Sequence, residues 1–233
     1  MLRIDKYLAN NAGLSRSEAR AAIKDGIVTV NGEVVLGIGD KIKESDDVFI
    51  LTQEVVVAGE TYLAFHKPAG VVCATEDEEH DTVLDLIPDF DDEALKIAGR
   101  LDQDTTGLVL LSTDGQWIHR VTSPNYKQVK VYEVETADPI PEDLVPKFEE
   151  GFLLKDSDKP TLPAALRIEG ENRASLELRE GRYHQVKRMF GACGNKVLKL
   201  HRRSVGTIGL NNLAEGEYRE LSEQEVESFL KKA

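Results

Sequence analysis

Apolar residues recur at helical spacing from the first turn of the chain. Ile4, Leu8 and Ala12 share one face of "RIDKYLANNAGL", which predicts a short helix. A second helix is predicted at "SRSEARAAIKDG", where Ser15 and Glu18 form an S-x-x-E capping box, Leu14 stands as the hydrophobic staple and Gly26 closes the end. Ala19 and Ile23 face inward on this helix, while Arg16, Arg20 and Lys24 recur every four residues as one basic stripe. The period then changes to two: "IVTVNGEVV" alternates around Asn31-Gly32, the signal of a tight hairpin. A junction is expected near Ala58-Gly59, dividing the chain into residues 1–58 and 60–233.

Beyond the junction, "TYLAFHKPAGVVCAT" predicts strand, turn and strand, with Lys67-Pro68 and Gly70 in the turn. The acidic stretch "EDEEHDTVLDLIPDFDDE" offers few core positions and is expected as an exposed loop with one short helix. A continuous apolar strand at Leu108 to Leu111 and a helix from about Asp114 follow. "QVKVYEVETA" predicts a further strand, and Pro141 with Glu142 and Asp143 predicts a helix start, reaching roughly Glu150. "ASLELREGRYHQVKRMFGACG" predicts strand, turn and helix with Gly194 as the stop, and Ser222 with Glu225 repeats the capping box. Short strands and helices without regular βαβ alternation predict an α+β fold: a small helix-hairpin domain, then a larger domain on a mixed, mostly antiparallel sheet.

Composition narrows the partners. The 233 residues are 41% hydrophobic, no apolar run approaches the length of a membrane span, and the first residues have no signal-peptide core. Cys73 and Cys193 form no CxxC pair and the five histidines make no HxxxH pair, so neither a metal site nor a disulfide framework is expected, and the thiols suit a cytoplasmic protein. No phosphate-cradling glycine motif appears, and no cofactor is expected. The net charge of −13 argues against a nucleic-acid partner, but its distribution argues for one. Glu76 to Glu93 holds ten acidic residues and no lysine or arginine, whereas Gly181 to Ala214 holds seven basic residues and no acid. The second segment is the expected electrostatic footprint, with Tyr183, Met189, Phe190, Val197, Leu198 and Leu200 interleaved as folding residues.

Three stretches have more polar detail than a fold requires. In "GRLDQDTTGL", Arg100, Asp102, Asp104, Thr105 and Thr106 stand between Gly99 and Gly107, glycines that allow a sharp loop and close approach of another chain. A carboxylate here can serve as nucleophile or base; the plainer reading is a turn aspartate. In "KVYEV", Tyr132 shares a strand face with Lys130, more commonly the place of a core or edge aromatic. In "GRYHQVKRM", a helix starting near Tyr183 places His184, Lys187 and Arg188 on one side, where a cation can pair with the loop carboxylate or simply contact phosphate.

Spacing alone does not assemble these pieces. Taken together, "HKPAG", "GRLDQDTTGLVLLSTDG", "KVYEV" and "EGRYHQVKRMF" resemble the ordered motifs of the RNA pseudouridine synthases, and the helix-hairpin front resembles the RNA-binding module of the fourth small-subunit ribosomal protein. "DTTGLVLLSTDGQWIHRVTSP" is most similar to the branch that modifies small-subunit (16S) ribosomal RNA. The resemblance implies isomerisation of uridine to pseudouridine on a flipped-out nucleotide, without a cofactor. It makes Asp102 the catalytic aspartate, Tyr132 the tyrosine that stacks on the target base, and Lys187 the basic partner of Asp102, where many relatives have arginine. It makes Arg100 the residue that enters the RNA stack, leaves Asp104 a structural role, and counts Lys67 and Pro68 as a structural motif. RNA contacts are expected from Arg16, Arg20, Lys24, Arg182, His184 and Arg188. The expected partner is ribosomal RNA, within a small-subunit assembly particle, as free RNA or in the finished subunit. The protein itself is expected to be a monomer with no membrane attachment. Competing readings are a non-catalytic RNA-binding or ribosome-assembly factor, a synthase for large-subunit RNA, and a glycoside hydrolase. The hydrolase suffers because aspartates two apart do not face each other across a substrate.

Overall fold

The computed structural model describes residues 1–233 except 44, 56–58, 88–94, 127, 156 and 231–233. It divides into two compact units, Met1–Glu60 and Thr61–Ala233. Each has its own core.

The first unit runs β1 (Leu2–Arg3), α1 (Ile4–Asn11), α2 (Arg16–Lys24), β2 (Val28–Val30), β3 (Glu33–Val34), β4 (Lys41–Ile42), β5 (Val48–Ile50) and β6 (Gln53–Glu54). Ile4, Leu8, Ala19 and Ile23 are fully buried together, as their spacing predicts. The Ser15–Glu18 capping box is formed in both directions, satisfying two backbone donors that the first turn would otherwise leave unpaired. Asn31 and Gly32 both take positive φ between β2 and β3, the requirement of a two-residue hairpin turn. Within the basic stripe, Arg20 is drawn onto the buried carboxylate of Asp5 at 3.2 Å, beside Arg3. Arg16 and Lys24 stay exposed.

The second unit begins with β7 (Tyr62–Lys67), β8 (Lys96–Ala98), β9 (Thr106–Ser112), α3 (Gly115–Thr122) and β10 (Lys130–Thr136). It continues with α4 (Leu144–Glu150), β11 (Ala165–Gly170), β12 (Arg173–Leu178) and α5 (Gln185–Ala192). It closes with β13 (Val197–Val205), β14 (Ile208–Gly209), β15 (Tyr218–Glu220) and α6 (Glu223–Ser228). The sheet order is β11-β12-β10-β13-β9-β7-β15, and among its described strands only the β13–β9 pairing is parallel. The apolar run of β9 is explained by burial on both faces. Val109 and Leu111 enter the core shared with Met189 and Phe190 of α5, while Leu108 and Leu110 join Trp117 and Phe229 on the other side. Among the described residues no helix is long and apolar enough to cross a membrane.

Three expectations change. After the turn that follows β7 there is no second strand, only a single bridge between Val72 and Thr82. The acidic stretch is not wholly exposed: Val83, Leu84 and Ile87 are buried in the larger core, because a few apolar residues suffice to anchor a charged segment. The chain turns there rather than forming a helix through Ile87, and the rest of that stretch lies outside the described residues. The basic segment contains the long strand β13, and its neighbour β10 supplies acids on the outer face. Lys199 pairs with Glu135 at 3.1 Å and Arg203 with Glu133 at 3.8 Å. Segregated charge along the chain is therefore partly neutralised across strands.

At the C-terminal end, Glu225 binds both nitrogens of the Arg219 fork at 2.6 and 2.9 Å and completes the second capping box. The Arg219 hydrogen bond outweighs burial and pushes the Glu225 carboxyl down to about 2. Its stabilisation is therefore fully present above about pH 4.5, the ordinary value for the group, and is lost as pH falls through 2. Glu225→Gln retains a capping side chain but removes the charge. It is expected to lower denaturant stability at pH 7 and to match the parent protein at pH 2; an equal deficit at both pH values would show that the charge is not what matters.

Candidate active site

The loop between β8 and β9 is held by two buried cations from opposite ends of the sequence. The Lys67 ammonium donates to the carbonyls of Pro68 (2.8 Å), Gln103 (3.1 Å) and Thr105 (2.8 Å). Burial pushes its pKa below the ordinary lysine value. Arg202, only 2% exposed, donates through Nε to the Leu108 carbonyl at 2.7 Å and reaches those of Arg100 and Gly99 at 3.4 and 3.5 Å. The backbone amide of Leu101 donates to Cys73 Sγ at 3.3 Å. Carbonyls that would need water in a free loop are thus satisfied internally, and the loop between them has little freedom.

Arg202 is the site residue that sequence reasoning missed. It is one of the seven cations of the basic footprint, yet it points inward from β13 on the same face as Leu200. An arginine two residues from the inward Leu200 is the available signal. Gly107 also has a different purpose from the expected one. At φ +112, a Cβ on it would collide with the backbone of Arg202, so the close approach is to the neighbouring strand.

The pinned loop presents two carboxylates unequally. Asp102 has a side chain 26% exposed and faces the cavity; Asp104 is 73% exposed and does not line it. Lys187, on the first turn of α5, bridges them at 2.9 Å to Asp102 Oδ2 and 2.6 Å to Asp104 Oδ1. Burial works against the Lys187 ammonium, but hydrogen bonds to Asp104 and Asp102 outweigh it and raise its pKa. The same Lys187 bond holds Asp104 below the ordinary carboxylate value. His184 Nε2 lies 3.3 Å from Asp102 Oδ1, so this residue, expected on RNA, stands against the carboxylate.

Tyr132 is buried on β10, across from Leu176 on one side and Arg202 on the other. The β10–β13 register slips between Val131 and Tyr132, leaving Arg203 as the extra residue of a bulge beside the site. Lys130, on the same face, is pushed down to about 8 by burial, with Arg202 acting in the same sense. Asp102, Tyr132, Arg100, Lys130, His184 and Arg202 line a cavity of about 260 Å³. Its charged lining is mostly cationic, and of its two carboxylates Glu180 is bound by Arg182 and Gln185, so the cavity suits an anionic ligand placed beside Asp102. Arg100 is exposed at this cavity. Among the described residues no group of three His, Cys, Asp or Glu side chains could hold a metal ion.

Two expected RNA contacts are committed elsewhere. Arg182 donates to Glu180, Ser157 Oγ and the carbonyls of Lys159 and Pro160, and Arg188 to the carbonyls of Tyr183 and Lys155. The Arg182 guanidinium, with bonds from all three of its nitrogens, braces its own loop rather than reaching for phosphate, and Arg188 has both terminal nitrogens turned to backbone carbonyls. Arg16, Arg20 and Lys24 belong to the other unit.

The family described as RNA pseudouridylate synthase matches residues 61–192, and the S4 domain matches residues 2–48. The ribosomal small subunit pseudouridine synthase A of Vibrio cholerae is 46% identical over 231 residues, covering 99% of this chain and 100% of that protein. The Escherichia coli K12 protein of the same name is 43% identical over 98% of this chain and 100% of its own length. A crystal structure of a pseudouridylate synthase superposes with a TM-score of 0.69 at 42% identity, covering 98% of this chain and 100% of that one. Matched by the family over more than half its residues and similar to these proteins along its whole length, this chain belongs to the RNA pseudouridylate synthase family, its synthase region preceded by an S4 domain.

Proposed function

We propose that this protein isomerises a uridine of small-subunit (16S) ribosomal RNA to pseudouridine, acting in the cytoplasm as a monomer on RNA within an assembling small subunit. The observation that carries this reading is the placement of Asp102 on a cavity that Tyr132 also lines, its carboxylate held by Lys187 and His184, while the cavity's other carboxylate, Glu180, is taken up by Arg182 and Gln185. In the reaction the N1–C1′ bond breaks, the uracil turns, and a C5–C1′ bond forms. The proton leaving C5 is balanced by one gained at N1, so nothing is oxidised and no group enters or leaves. Attack on the anomeric carbon, attack on the ring and removal of a sugar proton each require a carboxylate close to the glycosidic bond, the position this reading gives to Asp102.

The other residues serve access. Unstacking a nucleotide costs a few kcal/mol, a cost that the ring of Tyr132 offsets by stacking on the flipped base. Arg100 occupies the gap left in the RNA. Arg16 and Lys24, with Arg20 partly held by Asp5, offer phosphate contacts on the S4 domain, so affinity falls as salt rises. Incubation with RNA carrying tritium at C5 of uridine tests the reading directly. Tritium release is expected, and cells lacking the protein are expected to lose one pseudouridine from small-subunit RNA. Tight RNA binding without release would leave an RNA-binding factor, and a missing pseudouridine in large-subunit RNA would overturn the proposed target.

A further inference from the structure

Tyr183, with 71% of its surface open, is an aromatic ring in solvent beside the catalytic cavity. Exposed rings are ordinarily loose, but this one is held from both sides. The amide of Arg182 donates to Gln185 Oε1 at 2.8 Å, and Gln185 Nε2 donates to Glu180 Oε1 at 2.7 Å. Gln185 is itself buried, the Arg182 side chain is anchored as described, and Arg188 binds the carbonyl of Tyr183. His184 then adopts a left-handed conformation, φ 47° and ψ 36°, that a non-glycine residue takes only where its surroundings enforce it. That conformation sets the imidazole against Asp102 on one edge and flat on Tyr183, with ring centroids 3.8 Å apart and 20° between planes.

The result is a rigid pair of stacked rings at the rim of the site: His184 lines the cavity and Tyr183 extends the stack outward. We propose that Tyr183 is a base-stacking platform, receiving the nucleotide next to the target uridine. The inference rests on the functional reading above. A cavity of about 260 Å³ takes one flipped nucleoside, so the adjoining nucleotide stays at the rim. That neighbour has lost the stacking partner that left the helix, and an open aromatic face stacked on a cavity-lining residue replaces it whatever its sequence. A Tyr183 whose only task was to support His184 would not need a preorganised outer face.

The test uses the full-length protein, as wild type and as Asp102→Asn, with RNA fragments carrying 2-aminopurine on either side of a target uridine. Binding is expected to quench the probe on one side. Tyr183→Ala is expected to abolish that quench and to raise KM on the order of tenfold with kcat within a few-fold, the loss of one stacked base. Tyr183→Phe is expected to restore both. Unchanged quenching on both sides, or a fall in kcat with KM intact, would overturn the platform, the latter leaving Tyr183 as a mere support for His184. Wild-type protein that releases no tritium from any ribosomal RNA would bring down the functional reading and the platform with it. Tritium release with an unaffected Tyr183→Ala would bring down the platform alone.

Discussion

Asp102→Asn is expected to lower the rate of tritium release on the order of 10³-fold or more, which corresponds to about 4 kcal/mol of lost transition-state stabilisation. The substitution keeps the shape of the side chain but removes both the negative charge and one acceptor oxygen. Lys187 and His184 would remain in place, so RNA affinity is expected to stay within a few-fold, and the defect should sit in the chemical step. Asp104→Asn is the matched control. Asp104 has the shorter contact to Lys187, yet its side chain is largely in solvent and does not line the cavity. Removing its charge weakens the orientation of Lys187 and is expected to cost less than about tenfold. Asp102→Asn turning over near the normal rate, or Asp104→Asn falling as far as expected for Asp102, would show that the wrong carboxylate has been assigned.

The second large effect is expected at Arg202. Arg202→Met preserves much of the side-chain volume but withdraws donors from the carbonyls of Leu108, Arg100 and Gly99. Buried acceptors left unpaired cost about 1–3 kcal/mol each, less where the bond is long, so a total of roughly 2–4 kcal/mol is expected. For a protein of this size, that loss lowers Tm by roughly 5–15 °C. The loop carrying Asp102 should also lose its fixed geometry, so kcat is expected to fall at temperatures where the variant is still folded. Thermal unfolding and single-turnover kinetics measure the two effects separately. A variant with wild-type Tm and kcat would show that the clamp beneath the loop contributes nothing. Lys67, which holds the opposite side of the loop, gives the same test from β7.

Arg202 also marks where sequence reading ended. Tyr132 and Arg202 lie seventy residues apart and meet only because β10 and β13 pair across the sheet. Whether a charged side chain on a strand faces water or backbone carbonyls depends on which strand lies beside it, and local periodicity contains no such information. The same limit explains the basic footprint. Lys199 and Arg203 stand in a run without acids, but Glu135 and Glu133 of the next strand answer them. Arg182 likewise stands in a basic run, but Ser157 and the carbonyl of Pro160, brought in from more than twenty residues away, take its donors.

What the sequence by itself determined was chiefly governed by neighbours within about four residues, although the second strand expected after β7 and the helix expected before Ile87 did not form. Both capping boxes, the Asn31-Gly32 turn, the inward faces of α1 and α2 and the doubly buried β9 follow from backbone hydrogen bonding and periodicity over that range. Asp102, Tyr132 and Lys187 each sit in a short recognisable stretch, and the fold sets Lys187 on Asp102 and Asp102 on one cavity with Tyr132. Only the tertiary structure decided what surrounds them. It separated Asp102 from Asp104 by exposure, moved His184 onto the carboxylate and set Tyr183 on its ring. It turned Gly107 toward a strand, and it made Arg202 a buried clamp. Those outcomes depend on dehydration and on partners brought from distant segments, and the energy of burying a charge or an aromatic face is defined only when those partners are in place.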